Sequence, residues 1–434
     1  MTPDEYWRDF AAWAAGPITA PEPILDRAQD AFIDTIACVL GAHDEPAAKA
    51  AAAIAAPTHA SQAMALAVAG HALDFDDYDP PSIGHPSTVL VPVILSFPEL
   101  SGTDAIDTYL VGLEAMDRLG EVVNPAHYEM GWQATATLGT FGAATTAGRA
   151  LGLDANQMLT ALSIAAGTAS GIKAQFGSGA KPMNVGFAAQ AGLQAAQLAA
   201  AGMDARAETI WGAQGFAALT GSSGAAVKSP SGPPGAPFLI ETFGLIAKPW
   251  PCCGYLSRIV DVLVDLSTEL EPKMIQAITL RSPPRNAAIL IYDTPETPDQ
   301  ARFSPSYCAA VALKFGTLTL GDFSDSAIHR PEVMALAAKI DFASTDKAQS
   351  DVDLDPADPD EISIRLTTGE TIGRRAVRMR GGPDAPMDRA DFVAKLHSCA
   401  PEKVDADALI AALLDLPTAP DLTQITRHIP QISP

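Results

Sequence analysis

Cysteine is scarce and scattered: Cys38, Cys252, Cys253, Cys308 and Cys399 are the five in the chain. An odd number without regular spacing argues against a disulfide framework. The adjacent Cys252–Cys253 pair also lacks the C-x-x-C spacing of zinc and dithiol sites. All five read as reduced, mostly buried thiols. Basic residues are few as well. Lys and Arg number 28 against 51 Asp and Glu, a formal charge of −23, which argues against nucleic acids and anionic membranes as partners. The same imbalance makes each lysine informative if the ligand is an anion. No apolar run reaches the length of a membrane span. The opening MTPDEYWRDFAAW is acidic and aromatic rather than basic and then apolar, so a soluble, cytoplasmic protein is expected. There is no phosphate-cradling Gly-rich loop and no fixed-period repeat.

What is present is a long folded chain. Its 434 residues exceed one ordinary core, and 48% hydrophobic with 18% charged residues suits a globular protein of two domains. Residues 1–265 read as helices. Ile24–Leu40 carries apolar residues at helical spacing, Ala47–Ala56 is nearly all alanine, and Thr103–Val122 is amphipathic. Three further helices, Thr135–Leu151, Ala155–Gly171 and Gly186–Gly202, are rich in small residues that allow close packing. Gly212–Phe238 is rich in Gly, Ser and Pro and reads as a mobile surface segment. From about Glu271 the character changes. Met274–Arg281, Glu361–Thr367 and Ala376–Arg380 read as strands, with helices at Tyr307–Leu313 and Arg330–Ile340 between them. The acidic run Asp351–Glu361 reads as a solvated loop. The expected fold is mainly α: a helical domain over 1–265, a smaller α+β lid over 266–395, and C-terminal helices over 396–434 returning to the first domain.

One stretch dominates the chemistry. Residues 70–87 read GHALDFDDYDPPSIGHPS, packing His71, Asp74, Asp76, Asp77, Asp79 and His85 between two apolar runs. Unpaired buried carboxylates are very costly, so the stretch is either a solvated loop or the lining of a polar cavity. His71 and Asp74, three residues apart, would share a helix face, while Pro80, Pro81 and Gly84 let His85 fold back towards them. Acid–base catalysis and divalent-metal binding both suit these residue types. The metal reading is the weaker, since no second Asp-rich motif accompanies DFDDYD.

This stretch, with GWQATATLGTFGAA (131–144), GAKPMNVGFAAQAG (179–192), KPWPCCGYLSRIVD (248–261) and ARFSPSYCAA (301–310), resembles the MmgE/PrpD family. That family includes 2-methylcitrate dehydratases, cis-aconitate decarboxylases and iminodisuccinate epimerases. The resemblance implies an all-helical domain, an α+β lid, a homodimer and an interdomain cleft. It also implies roles for residues. Asp74, the first aspartate of D-F-D-D, and His85, of H-P-S, match active-site positions. Lys181 matches the lysine of K-P-x-x-x-G, Lys248 that of K-x-x-P, and Tyr307 the tyrosine after F-S-x-x. Two lysines can clamp carboxylates by charge-assisted bonds, and Asp, His and Tyr can move protons.

Three positions depart from the family pattern. Gln133 stands where histidine is frequent, Asn184 replaces a histidine, and Tyr78 stands where cis-aconitate decarboxylases carry threonine. Asp76 and Asp77 read as structural, and His127, His329, His397 and His428 as surface residues. The expectation is a lyase, dehydratase or decarboxylase, acting on a small polycarboxylate without cofactor or metal. Asp74, His85 and Tyr307 would be catalytic, and Lys181, Lys248, Tyr78, Gln133 and Asn184 would bind substrate. The alternatives are an epimerase of an iminodisuccinate-like acid and a non-catalytic metabolite-binding member of the family.

Overall fold

A computed structural model describes residues 1–221, 229–351 and 353–429. The first half is a stack of helices: α1 (Glu22–Gly41), α2 (His59–Ala72), α3 (Ser87–Leu95), α4 (Gly102–Val123), α5 (Ala134–Ala150) and α6 (Ala180–Ala200). Side chains just outside the helices fix two of their starts. Thr58 accepts from the amide of Ser61, and Ser101 from that of Asp104 at 3.1 Å. Small residues set how closely the helices approach. A Cβ on Gly192 of α6 would lie 2.4 Å from the Thr140 carbonyl of α5, a distance that only glycine tolerates. Pro92 lies inside α3, every residue of which is buried.

The second half holds a four-stranded sheet of order β2-β1-β3-β4, with β1 Ile275–Ser282, β2 Ile340–Ser344, β3 Asp360–Leu366 and β4 Thr371–Ala376. β1 pairs parallel with β2 and antiparallel with β3, and β3 pairs antiparallel with β4. Alternation explains β3: Ile362, Ile364 and Leu366 are buried, and the residues between them are less so. Helix α7 (Pro305–Phe315) packs against neighbouring helices of this half, and α8 (Arg389–Cys399) packs on α1.

Several expectations need correction. The last strand ends at Ala376, where the expected one began, and β2 occupies residues read as the end of a helix and beyond. The expected domain boundary at 395/396 falls inside α8. Part of the expected mobile segment, 222–228, lies outside the described residues. Its C-terminal flank is anchored: the Arg118 guanidinium donates to the carbonyls of Ser231, Pro233 and Pro237. The acidic run Asp351–Glu361 is not wholly solvated. Asp353, Leu354 and Asp360 are buried.

Candidate active site

The 70–87 stretch is buried, not a solvated loop. Each of its acids is at most 3% exposed, and each is paired or shielded. α2 ends at Ala72, and Asp74 turns the chain with φ of +50°. The segment then runs extended past Ile246, exchanging backbone bonds with Tyr78 at 2.8 and 2.9 Å. It folds back through Pro80–Gly84, where Asp79 bonds the Gly84 carbonyl. Gly120 of α4 makes room for this turn, since a Cβ there would lie 2.4 Å from the Pro81 carbonyl. The returning chain enters α3, whose first residue, Ser87, is held by the Asp77 carboxylate through both its hydroxyl and its amide. Asp77 therefore acts structurally, as expected.

Two charge clusters result. In the first, Asp74 Oδ1 lies 2.5 Å from Lys181 Nζ and 3.3 Å from Lys248 Nζ, and Lys248 also donates to the Asp74 carbonyl at 2.8 Å. Burial opposes ionisation of Asp74, but the two ammonium groups outweigh it and hold the carboxyl far below the usual carboxylate range. In the second, Asp76 Oδ2 lies 2.7 Å from His71 Nδ1 and 3.2 Å from His85 Nδ1. Burial pushes His71 down to about 4, so it is neutral at pH 7 and donates to Asp76. Burial would raise Asp76, yet the two imidazoles hold it well below the carboxylate range. The expected His71–Asp74 partnership is replaced, because the helix ends before Asp74 and the strand-like turn presents Asp76 instead.

The clusters meet at a pocket lined by Asp74, His85, Lys181, Gln133, Tyr78 and, from the second half, Asp353. His85 Nε2 is 4.0 Å from Asp74 Oδ1. His85 Nδ1 lies 3.2 Å from Asp76 Oδ2 without making a hydrogen bond, and Nε2 is the ring nitrogen on the Asp74 side. Lys181 sits beside the rings of Phe303 and Phe176, at 5.0 and 5.3 Å from their centroids. Gln133, which starts α5, donates to the Lys181 carbonyl at 3.3 Å and accepts from Asn184 at 2.8 Å. Both amides thus fix the base of the lysine. The Tyr78 ring faces the pocket while its hydroxyl is directed away, towards Met379 Sδ at 3.3 Å.

Three expected site residues stand back from the pocket, and one is Asn184, whose amide meets Gln133 instead of lining the cavity. Lys248 is fully buried behind Asp74 and does not line the cavity. Tyr307 lies on α7, its hydroxyl donating to the Asp322 carbonyl, and burial pushes it up to about 12. It does not line the pocket either. His127, expected at the surface, is buried between Thr220 and Thr137 and stacks on Trp132.

Other residues gave no sequence signal. Lys395 of α8 donates to Asp34 at 2.6 Å, to the Phe75 carbonyl at 2.6 Å and to the Lys248 carbonyl at 3.0 Å, bracing both charged segments from behind. Asp353 belongs to the run read as a loop. Burial raises it to about 6 despite Arg285 beside it.

The ligand atoms of His71, Asp74, Asp76 and His85 lie within 4.8 Å of one another, the reach of a metal site. However, Asp74 already faces two ammonium groups, whose positive charge opposes a divalent cation there. Cys253 also reaches the pocket. Burial and the nearby Asp74 carboxylate push its thiol up to about 12, so it is not a thiolate nucleophile at neutral pH.

The chain matches the MmgE/PrpD N-terminal domain over residues 8–227 and the MmgE/PrpD C-terminal domain over residues 250–416. It is similar to the cis-aconitate decarboxylase of Homo sapiens, with 26% identity over 399 residues that cover 87% of this chain and 80% of the relative. The cis-aconitate decarboxylase of Mus musculus is 27% identical over 396 residues, covering 86% and 78%. That of Aspergillus terreus is 25% identical over 443 residues, covering 92% and 89%.

Proposed function

We propose, since the chain belongs to the MmgE/PrpD family and is an enzyme of the lyase type, that it removes CO2 or water from a small di- or tricarboxylate without a cofactor. The observation that carries this reading is one pocket holding both Lys181 and His85, the latter within ion-pair distance of Asp74 and Asp76. Two ammonium groups around the single Asp74 carboxylate leave a net positive charge, which attracts a substrate carboxylate to Lys181. Lys248 supplies one of the two positive charges from behind.

His85 handles the proton. In a decarboxylation, the bond to the departing carboxylate breaks and its electron pair stays in the conjugated system. The carbon next to a remaining carboxylate then takes a proton from His85. In a dehydration, His85 Nε2 removes that proton and the neighbouring hydroxide leaves. The named activity of the relatives makes cis-aconitate the first substrate to test, and 2-methylcitrate the second. Product analysis by NMR would separate loss of CO2 from loss of water. An acid present at about a hundred times its Kd should also stabilise the protein by about 2.7 kcal/mol. The reading fails if neither acid is consumed and neither stabilises the fold.

The reading includes a homodimer. Phe187 and Leu198 on α6 are exposed at 52% and 39%, apolar surface on an otherwise well-packed helix. A single-chain mass by light scattering at micromolar concentration would remove this part.

A further inference from the structure

We propose that Asp353, in its acid form, hydrogen-bonds the substrate carboxylate on which negative charge gathers during the reaction, and lends that oxygen its proton. The inference rests on the reading of this pocket as a polycarboxylate site, and it holds for loss of either CO2 or water. The electron pair left on carbon, whether by departing CO2 or by proton removal at His85, spreads onto the oxygens of the adjacent carboxylate. The Asp353 proton moves to one of those oxygens. When carbon takes a proton or expels its neighbouring group, the oxygen returns the borrowed proton to Asp353, so none is consumed. A neutral carboxylic acid is suited to this task because it donates without adding a negative charge beside the substrate.

Three observations carry the proposal. First, Asp353 lines the same pocket as His85 and Lys181 but comes from the other half of the chain. Second, the carboxyl group is positioned. The Tyr255 hydroxyl donates to Oδ1 at 3.2 Å, and Arg285 Nη1 lies 3.6 Å from the same oxygen. Tyr255 also donates to Oδ2, at 3.4 Å, so one hydroxyl spans both oxygens of the carboxyl.

Third, the backbone is held there under strain. Among the described residues, Asp74, Ile83 and Leu354 are the non-glycine residues with positive φ, at +50°, +47° and +54°. Two of them line the pocket and the third follows Asp353. Such conformations persist only where their surroundings enforce them. Here Arg258 donates to the carbonyls of Leu354 and Asp358, and Arg285 to that of Ser350.

The charged and titratable groups facing Asp353 are Arg285, Arg258, Tyr255, Tyr128 and Tyr78. Burial outweighs the two arginines and raises the carboxyl to about 6. The acid form is therefore complete below that value and is lost as pH rises through it, so kcat should fall on the alkaline side.

The test compares wild type with Asp353→Asn, which keeps the shape and loses the proton. A fall in kcat of about a hundredfold or more is expected, with KM changed by about threefold at most and the alkaline decline abolished. Retention of kcat within about threefold, with the same pH profile, would overturn the proposal. A second arm needs no turnover. The 13C signal of the Asp353 carboxyl, assigned by its loss in Asp353→Asn, is titrated in wild type with and without tricarballylate, a saturated tricarboxylate. A midpoint near 6 that rises when the acid is added supports the hydrogen bond. A midpoint near 4, or one that tricarballylate does not move, overturns it. Wild type that consumes no tricarboxylate counts against the lyase reading alone, and the titration still decides the role of Asp353.

Discussion

Replacing Asp74 by alanine is expected to remove about 3–5 kcal/mol of folding stability, the usual consequence of stripping one partner from a buried charge cluster. Asp74 is the only carboxylate within ion-pair distance of Lys181 and Lys248 among the described residues. Lys248 is fully buried and Lys181 nearly so, so neither ammonium group can recover its hydration when Asp74 is removed. Burial already works against the charge on Lys248, and Asp74, with Asp76, is what holds its pKa above the ordinary value. The loss should be smaller in the double variant Asp74→Ala/Lys248→Met, which removes one of the stranded charges. The pH dependence has a definite sign. A carboxyl held below its unfolded value contributes fully above about 4, and the contribution is lost as pH falls further. Urea denaturation at neutral pH would therefore show the widest gap between wild type and Asp74→Ala. A gap under about 1 kcal/mol would mean that water reaches the lysines and that the cluster is not closed.

His85→Ala is expected to lower kcat by at least about a hundredfold, the low end for a positioned acid or base. His85 is the imidazole of the cluster that lines the pocket, with the Asp76 carboxylate 3.2 Å from its Nδ1. His71 takes the same carboxylate from within the core and is neutral, so it cannot substitute as an acid. KM should change much less, because the proposed mechanism assigns the substrate carboxylate to Lys181, not to His85. Steady-state kinetics on the cognate acid would separate the two constants. Turnover close to that of wild type would remove His85 from the proton path.

The helices were legible in the sequence because their periodicity is local. Glu22–Gly41 and Gly102–Val123 fall within a few residues of the expected spans. The sheet was harder to read. β2 has no buried residue along its length and so lacks the core-facing positions that mark β3. Within the site, the density of Asp and His in 70–87 pointed to the right segment, but not to its pairings. Whether His71 meets Asp74 or Asp76 depends on a helix ending at Ala72 and on one residue with positive φ.

Lys248 and Tyr307 show the same limit. A family motif names a residue type at a position, whereas the packing decides whether its tip reaches a cavity. Lys248 is turned to the Asp74 backbone, and Tyr307 to the Asp322 carbonyl. Asp353 was hidden for a different reason. In an acidic, proline-containing run the ordinary expectation is solvation. Its burial comes from Arg258, Arg285 and Tyr255, residues about 70–100 positions away in the chain, and no local pattern records that contact.

The most direct test of the account is turnover of cis-aconitate in deuterated water, with the product read by NMR. A lyase that protonates carbon next to a carboxylate should give an unsaturated dicarboxylate with one deuterium at that carbon and release CO2, and His85→Ala should abolish both signals. Recovered substrate carrying deuterium, with no CO2 and no new unsaturated acid, would contradict the account and indicate an enzyme that returns the proton to its substrate.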